Sequence, residues 1–274
     1  MREGTSRGYR VHGTWSSEPV AGLERLNIPD MDAVEETLSR TRASVVAIAA
    51  AMAGVDECEA RPDLARRVNA IAPDYIAELS NVSGARVVYF STDYVFDGRS
   101  ETVAEDGTPN PINVYGETKL AGELNVLSEA PGNLVIRTCA NFGWNRLRTK
   151  ENSVTRIINS LRKGNPVPLF TDQRVSPSYA PHVARVAFDL IDRRESGVYH
   201  VATRGCWTRF EVGEAVCHTF GLPTSLLKQS TLSEAGLIAP RPARSCLVST
   251  RLGRFPDIPV PTFREALEDM RRSE

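Results

Sequence analysis

The sequence predicts an α/β fold built on a doubly wound parallel sheet, with a smaller α/β lobe in its C-terminal half. Three observations predict it. Strand-like and helix-like segments alternate through residues 1–145. Two of the strand-like segments, ASVVAIAAA and GARVVYFS, are short continuous apolar runs, as strands covered on both faces require. From about Trp144 the alternation loosens. That divides the chain into residues 1–145 and 146–274, the second mainly a separate lobe with some segments returning to the first.

Each element has its own warrant. GYRVHGTW is a β-favouring run carrying Tyr9, Val11 and Thr14. DMDAVEETLSR has an acidic start and apolar residues at helical spacing. ASVVAIAAA follows as a strand. Residues 62–80 predict a helix with Pro62 at its start and an irregularity at Pro73. GARVVYFS is the next strand, PINVYGETKLAGELNVLSE a helix that begins after two prolines, and NLVIRTCANFG a further strand. Beyond them WNRLRTKEN is polar and basic, NSVTRIINSLRKG an amphipathic helix, GVYHVAT a strand and TRFEVGEAVCHTFGL a helix. STLSEAGLIAPRPARS is a loop bearing Pro and Arg.

Composition excludes several function classes. An apolar share of 41% with 24% charged residues suits a folded, soluble chain. A net charge of −1 provides no field to select nucleic acid or an anionic membrane. The longest apolar run, Val45 to Ala53, is too short for a bilayer, and the first residues lack a signal-peptide core. Five cysteines, odd in number and far apart, have no metal spacing and predict free, mostly buried thiols in a reducing compartment. A cytoplasmic location is the expectation. Only four basic residues are lysines, so a local anion site is expected to use Arg forks.

Two stretches carry chemistry. In YGETK, Tyr115 and Lys119 stand one helical turn apart on one face. A free phenol has a pKa of about 10, and a cation beside it stabilises phenolate. Such a Tyr exchanges a proton with a reacting oxygen near neutral pH. By itself the pair is weak, since seven Tyr and four Lys give roughly 0.1 chance matches. It reads equally as an exposed helix pair. In FSTDYVFDG, Ser91, Thr92 and Asp93 follow a buried strand, at the end where such sheets bind ligands. The plainer reading is a strand-ending turn whose Ser and Asp cap the backbone.

Together the two stretches resemble an extended short-chain dehydrogenase/reductase with a Rossmann-like sheet. STDYVFDG, EDGTPNPINVYGETKLAGE, VIRTCANFGWN, TDQRVSPSYAPHVA, GVYHVA and RPARSCL occur in order and closely resemble the dTDP-4-dehydrorhamnose reductase family. The resemblance implies that residues 1–145 bind NADP or NAD and the C-terminal lobe binds substrate. It implies that Thr92 orients a sugar ketone, Tyr115 donates the proton, and Lys119 tunes Tyr115 and holds the nicotinamide ribose. Asn27 and Ile28 match positions beside adenine, where the family usually has Asp. Ala50, Ala51 and Met52 would pass close to the cofactor, and Asn69 matches an Asn in the following helix. Thr92 and Asp93 match sugar contacts, and Arg241 and Arg244 are the candidate diphosphate partners. The implied partner is a nucleotide-sugar substrate, and a homodimer is one candidate assembly. No acid follows GYRVHGTW, only Trp15, Ser16 and Ser17, which tilts the expectation toward NADP or dual use.

The sequence departs from that family in places. R137-T-C-A140 replaces R-T-S-W, removing a ring that faces the sugar, and Ser153 replaces the usual Phe after Asn152. No G-x-x-G-x-x-G turn occurs in the chain. By resemblance MREGTSRGY is the end of a first helix and GYRVHGTW a second strand. About twenty residues with the central strand and phosphate cradle are then expected upstream of Met1, and the chain as written is expected to bind its dinucleotide poorly. Two other readings remain open. One is a non-catalytic homologue like the regulatory subunit of methionine adenosyltransferase, and the other is a related epimerase or dehydratase.

Overall fold

The structure is a computed structural model that describes residues 1–146 and 151–274. Part of the basic WNRLRTKEN segment therefore lies outside the described residues. The first elements are α1 (Arg2–Ser6), β1 (Thr14–Trp15), β2 (Glu24–Arg25), α2 (Met31–Thr41), β3 (Val45–Ile48), α3 (Val55–Ala60) and α4 (Pro62–Arg66). A π-helical turn, Arg67–Ile71, leads into α5 (Ala72–Val82), followed by β4 (Arg86–Thr92), β5 (Thr102–Val103), α6 (Val114–Glu129) and β6 (Leu134–Thr138). Then come α7 (Ser153–Arg162), β7 (Val167–Phe170), β8 (Arg174–Val175), α8 (Ala180–Asp192) and β9 (Gly197–His200). The last elements are β10 (Trp207–Thr208), α9 (Arg209–Phe220), β11 (Leu227–Ser230), β12 (Arg244–Leu247) and α10 (Phe263–Arg272).

The chain forms two compact units, each assembled from three segments. The first comprises Met1–Val95, Asn113–Arg137 and Ala184–Tyr199, and the second Phe96–Ile112, Thr138–Val183 and His200–Glu274. Segment 96–112 thus belongs to the second unit, and segment 184–199 returns to the first. The first unit is organised on a sheet of order β3-β4-β6-β9. β3 and β4 are parallel in the register Val45↔Arg86 to Ile48↔Tyr89. Ile28, Val34, Ile48, Ile76, Val87, Tyr89, Val126 and Val135 pack as its core. β6 is buried along its whole length, as a strand covered on both faces must be. β3 is not: it is the edge of this sheet and Ala47 is exposed.

GYRVHGTW forms a ladder only at Thr14–Trp15, parallel to Glu24–Arg25. β-favouring side chains extend residues 9–13, but a strand also needs a partner backbone. Tyr9 instead stacks on Phe188 and hydrogen-bonds Asp192.

The irregularity expected at Pro73 falls one turn earlier. Proline has no N–H for the carbonyl four residues back and its ring crowds that carbonyl. The turn before it opens to π geometry, and the Asn69 carbonyl accepts instead from the Tyr89 hydroxyl at 2.8 Å.

In the second unit, β10, β8, β12 and β5 form a four-stranded sheet, and β11 pairs with β7. Capping boxes start α7 at Asn152, α9 at Thr208 and α10 at Thr262. Cys206 and Cys246 are joined as a disulfide with Cα atoms 5.5 Å apart, while Cys58, Cys139 and Cys217 are free and buried. This corrects the expectation of five free thiols, and cysteine usage no longer argues for a reducing compartment. Residues 40 apart in sequence have no local signal that they meet. Thiol titration of the denatured, unreduced chain is expected to count three groups, rising to five after reduction. Closing a loop of 40 residues contributes about 4 kcal/mol in the chain-entropy picture, so reduction is expected to lower the melting temperature.

Candidate active site

The site is built at the C-terminal end of β4 and the first turns of α6. Asn113 caps α6, its side chain accepting from the Gly116 N–H at 2.8 Å. Glu59 accepts the Val114 N–H at 3.2 Å. With its start fixed, α6 presents Tyr115 and, one turn on, Lys119. The Tyr115 ring packs against Met52, Cys58 and Ala65 and meets Tyr94 edge-on at 5.6 Å. At the end of β4 the Thr92 hydroxyl donates to Asp93 at 3.1 Å and accepts from the Tyr94 N–H at 3.2 Å.

Burial pushes the Tyr115 phenol well above its ordinary value, a side-chain hydrogen bond with Thr92 opposes the rise, and the charge of Asp93 adds to it. The sequence-based expectation was the reverse, a phenol lowered by Lys119. The lysine points its charge elsewhere. Its Nζ donates to the Phe90 carbonyl at 2.7 Å and lies 3.8 Å from the centre of the Tyr89 ring. At 2% exposure the amine is drawn down to about 7 by burial, with Glu123 pulling it back up. A phenol held above 10 stays protonated at neutral pH, which is the form a proton donor needs.

The other predicted residues divide. Ala50 and Ala51 are exposed just beyond β3. Met52 is buried, and Asn69 fastens it from both sides: Oδ1 accepts the Met52 N–H at 2.9 Å and Nδ2 donates to the Met52 carbonyl at 3.0 Å. Asn69 also donates to Thr118 on α6 at 3.2 Å, and the Cys58 thiol, pushed up to about 11 by burial, donates to the same Met52 carbonyl. Asn69 is thus a brace that ties the Ala50–Met52 turn to the helix of Tyr115. Asn69→Ala orphans buried backbone groups and is expected to cost about 2–3 kcal/mol by denaturant unfolding. Asn27 is exposed, whereas Ile28 is in the core. Thr92, Asp93, Tyr115 and Lys119 come together in the first unit. Arg241 and Arg244 belong to the second, where Arg241 donates to the Ala239 carbonyl at 2.8 Å and Arg244 is exposed at the start of β12.

Sequence reasoning missed Tyr89, the ring under Lys119, and the buried Glu123–Arg137 pair behind it. The spacing KLAGE, with Glu123 one turn after Lys119, was the available signal.

The family profile described as the RmlD substrate binding domain matches residues 1–273. The chain belongs to this family. Within it, the chain is 34% identical over 246 residues to a "Probable low-salt glycan biosynthesis reductase Agl14" of Haloferax volcanii, covering 88% of this chain and 82% of that protein. It is 32% identical over 260 residues to methionine adenosyltransferase 2 subunit beta of Xenopus tropicalis, covering 93% and 77%. The crystal structure of dTDP-4-dehydrorhamnose reductase from Bacillus anthracis in complex with NADP superposes with a TM-score of 0.85 at 28% identity, covering 91% of this chain and 87% of that one. This RmlD-family chain therefore has the Rossmann-like α/β fold that its sequence predicts. Among the described residues no helix is long and apolar enough to cross a membrane.

Proposed function

We propose that this chain reduces the 4-keto group of a nucleotide-linked deoxy sugar, using NADPH or NADH. One observation carries the reading: a half-buried Tyr115 whose phenol is held protonated, grouped with Thr92 at the carboxyl end of a central parallel strand. Negative charge builds on a carbonyl oxygen as it accepts hydride, and two hydroxyls placed there stabilise it. Thr92 orients the carbonyl by turning its single O–H from Asp93, which accepts it in this structure, to the carbonyl oxygen, and Tyr115 delivers its proton to that oxygen.

The nicotinamide half of a dinucleotide fits the residues present. Exposed Ala50 and Ala51 let a flat ring approach the backbone, and Lys119 supplies a buried cation one turn from Tyr115. The sequence provides no G-x-x-G-x-x-G cradle for the pyrophosphate. When bound, the reduced nicotinamide supplies the hydride. Arg241 and Arg244 are the proposed partners of the sugar's diphosphate.

The test is NADPH and NADH oxidation with dTDP-4-keto-6-deoxy-mannose, with product formation followed for wild type and Tyr115→Phe. A second reading, a regulatory subunit, draws support from the likeness to methionine adenosyltransferase 2 subunit beta. It predicts no turnover and co-elution with a methionine adenosyltransferase catalytic subunit.

A further inference from the structure

Behind Lys119 the first unit buries a salt bridge that the proposed reaction does not use. Arg137 on β6 grips Glu123 on α6: Nε lies 2.9 and 3.1 Å from the two carboxylate oxygens and Nη2 lies 2.6 Å from Oε2. The side chains are 4% and 2% exposed. Two charges taken that far out of water are a poor device for stability alone, because desolvation offsets their attraction. Their location suggests another use.

Glu123 stands four residues after Lys119, which stands four after Tyr115, so the three share one helix face. Around the Lys119 amine, β4 contributes the Tyr89 ring and the Phe90 carbonyl, and Tyr115 and Glu123 stand one turn before and after Lys119 along α6. β6 contributes Arg137 behind Glu123, and the turn after β4 contributes Asp93, whose charge bears on Tyr115. Glu123 is the carboxylate that acts on Lys119. Burial drives a lysine toward its neutral amine, and an adjacent anion drives it back.

We propose that Glu123 and Arg137 are a positioning pair for Lys119. Glu123 strengthens the buried amine's hold on its proton, while Arg137 holds that carboxylate in place and tempers its pull. The role deepens the proposed function, in which Lys119 supplies a buried cation toward the cofactor, and it rests on that reading.

The chain has only four lysines, so ¹³C labelling at lysine Cε yields a spectrum simple enough to titrate. Loss of one signal in Lys119→Met assigns it. In wild type that signal is expected to titrate at about 7. Glu123→Gln removes the anion and leaves Arg137 facing the amine, so the midpoint falls by about one unit. Arg137→Gln leaves Glu123 unopposed, so the midpoint rises by about one unit. Glu123→Asp keeps the charge and stays near wild type.

Shifts of opposite sign are the signature, since a pair with a purely structural role leaves the Lys119 midpoint in place. Shifts of the same sign in the two Gln variants, or none in either, overturn the proposal. If a single variant does not fold, the double variant E123Q/R137Q decides, because it leaves no unpaired charge. Its midpoint is expected below wild type, and an unchanged one overturns the proposal. The titration uses neither substrate nor cofactor. A chain that titrates as expected yet oxidises no reduced nicotinamide refutes the proposed reaction and not the pair.

Discussion

Tyr115→Phe is expected to lower carbonyl reduction by about 10²–10⁴-fold, the usual contribution of a positioned proton donor. The fall is expected in kcat rather than in KM, because the proton moves only as charge develops on the oxygen. Phe keeps the ring in the Met52–Cys58–Ala65 cluster and against Tyr94, so stability is expected to change little. Steady-state rates beside a thermal scan separate the two effects. Equal rates in variant and wild type would remove Tyr115 as the acid. A large loss of melting temperature would mean that the phenol is structural.

Gly122→Ala is expected to destabilise the fold although it replaces glycine inside a helix. On an exposed helix the change is favourable by about 1 kcal/mol. Here the added Cβ would meet the Asn69 carbonyl oxygen, and the Tyr89 hydroxyl at 2.5 Å. Those two atoms are already joined by the hydrogen bond that replaces the one Pro73 cannot make. Neither neighbour is a flexible end that can swing away: one is backbone, and Tyr89 is fully buried. Overpacking of this kind costs about 3 kcal/mol, so steric conflict outweighs propensity by about 2 kcal/mol. The melting temperature of the first unit is expected to fall by about 5 °C. Because Asn69 also braces the Met52 turn, slower turnover should accompany the loss. A variant as stable as wild type would show that α6 can shift away from the π turn at little cost.

Much of this was legible in the residues. The alternation through residue 145 gave the order of the longer elements, and the proximity of Thr92 to Tyr115 followed from strand end and helix start. Four strands of two residues, β2, β5, β8 and β10, were not legible, because two residues have no period to read. Nor was the direction of the Lys119 side chain. Sequence spacing puts Lys119 on the face of Tyr115, but the Phe90 carbonyl and the Tyr89 ring decide where the amine goes. The sign of the Tyr115 shift followed the same logic. A nearby cation was visible as spacing, whereas burial against Met52 and Cys58 is a tertiary property. Pro73 was recognised as a disturbance, yet its effect appears one turn upstream, since proline acts on the carbonyl four residues before it.

The interleaving of the two units bears on how the chain is made. β9 is the outer neighbour of β6 and comes from the segment Ala184–Tyr199, which returns to the first unit. A ribosome adding about 5–20 residues per second needs roughly 3–12 s to pass from the end of β6 to β9. Throughout that interval the nascent sheet ends at β6, an apolar strand with an unpaired edge of the kind that recruits other chains. Neither unit is contiguous, so the first cannot be completed before much of the second has been synthesised. Truncation within residues 138–196 should therefore yield aggregates rather than a free, folded first unit.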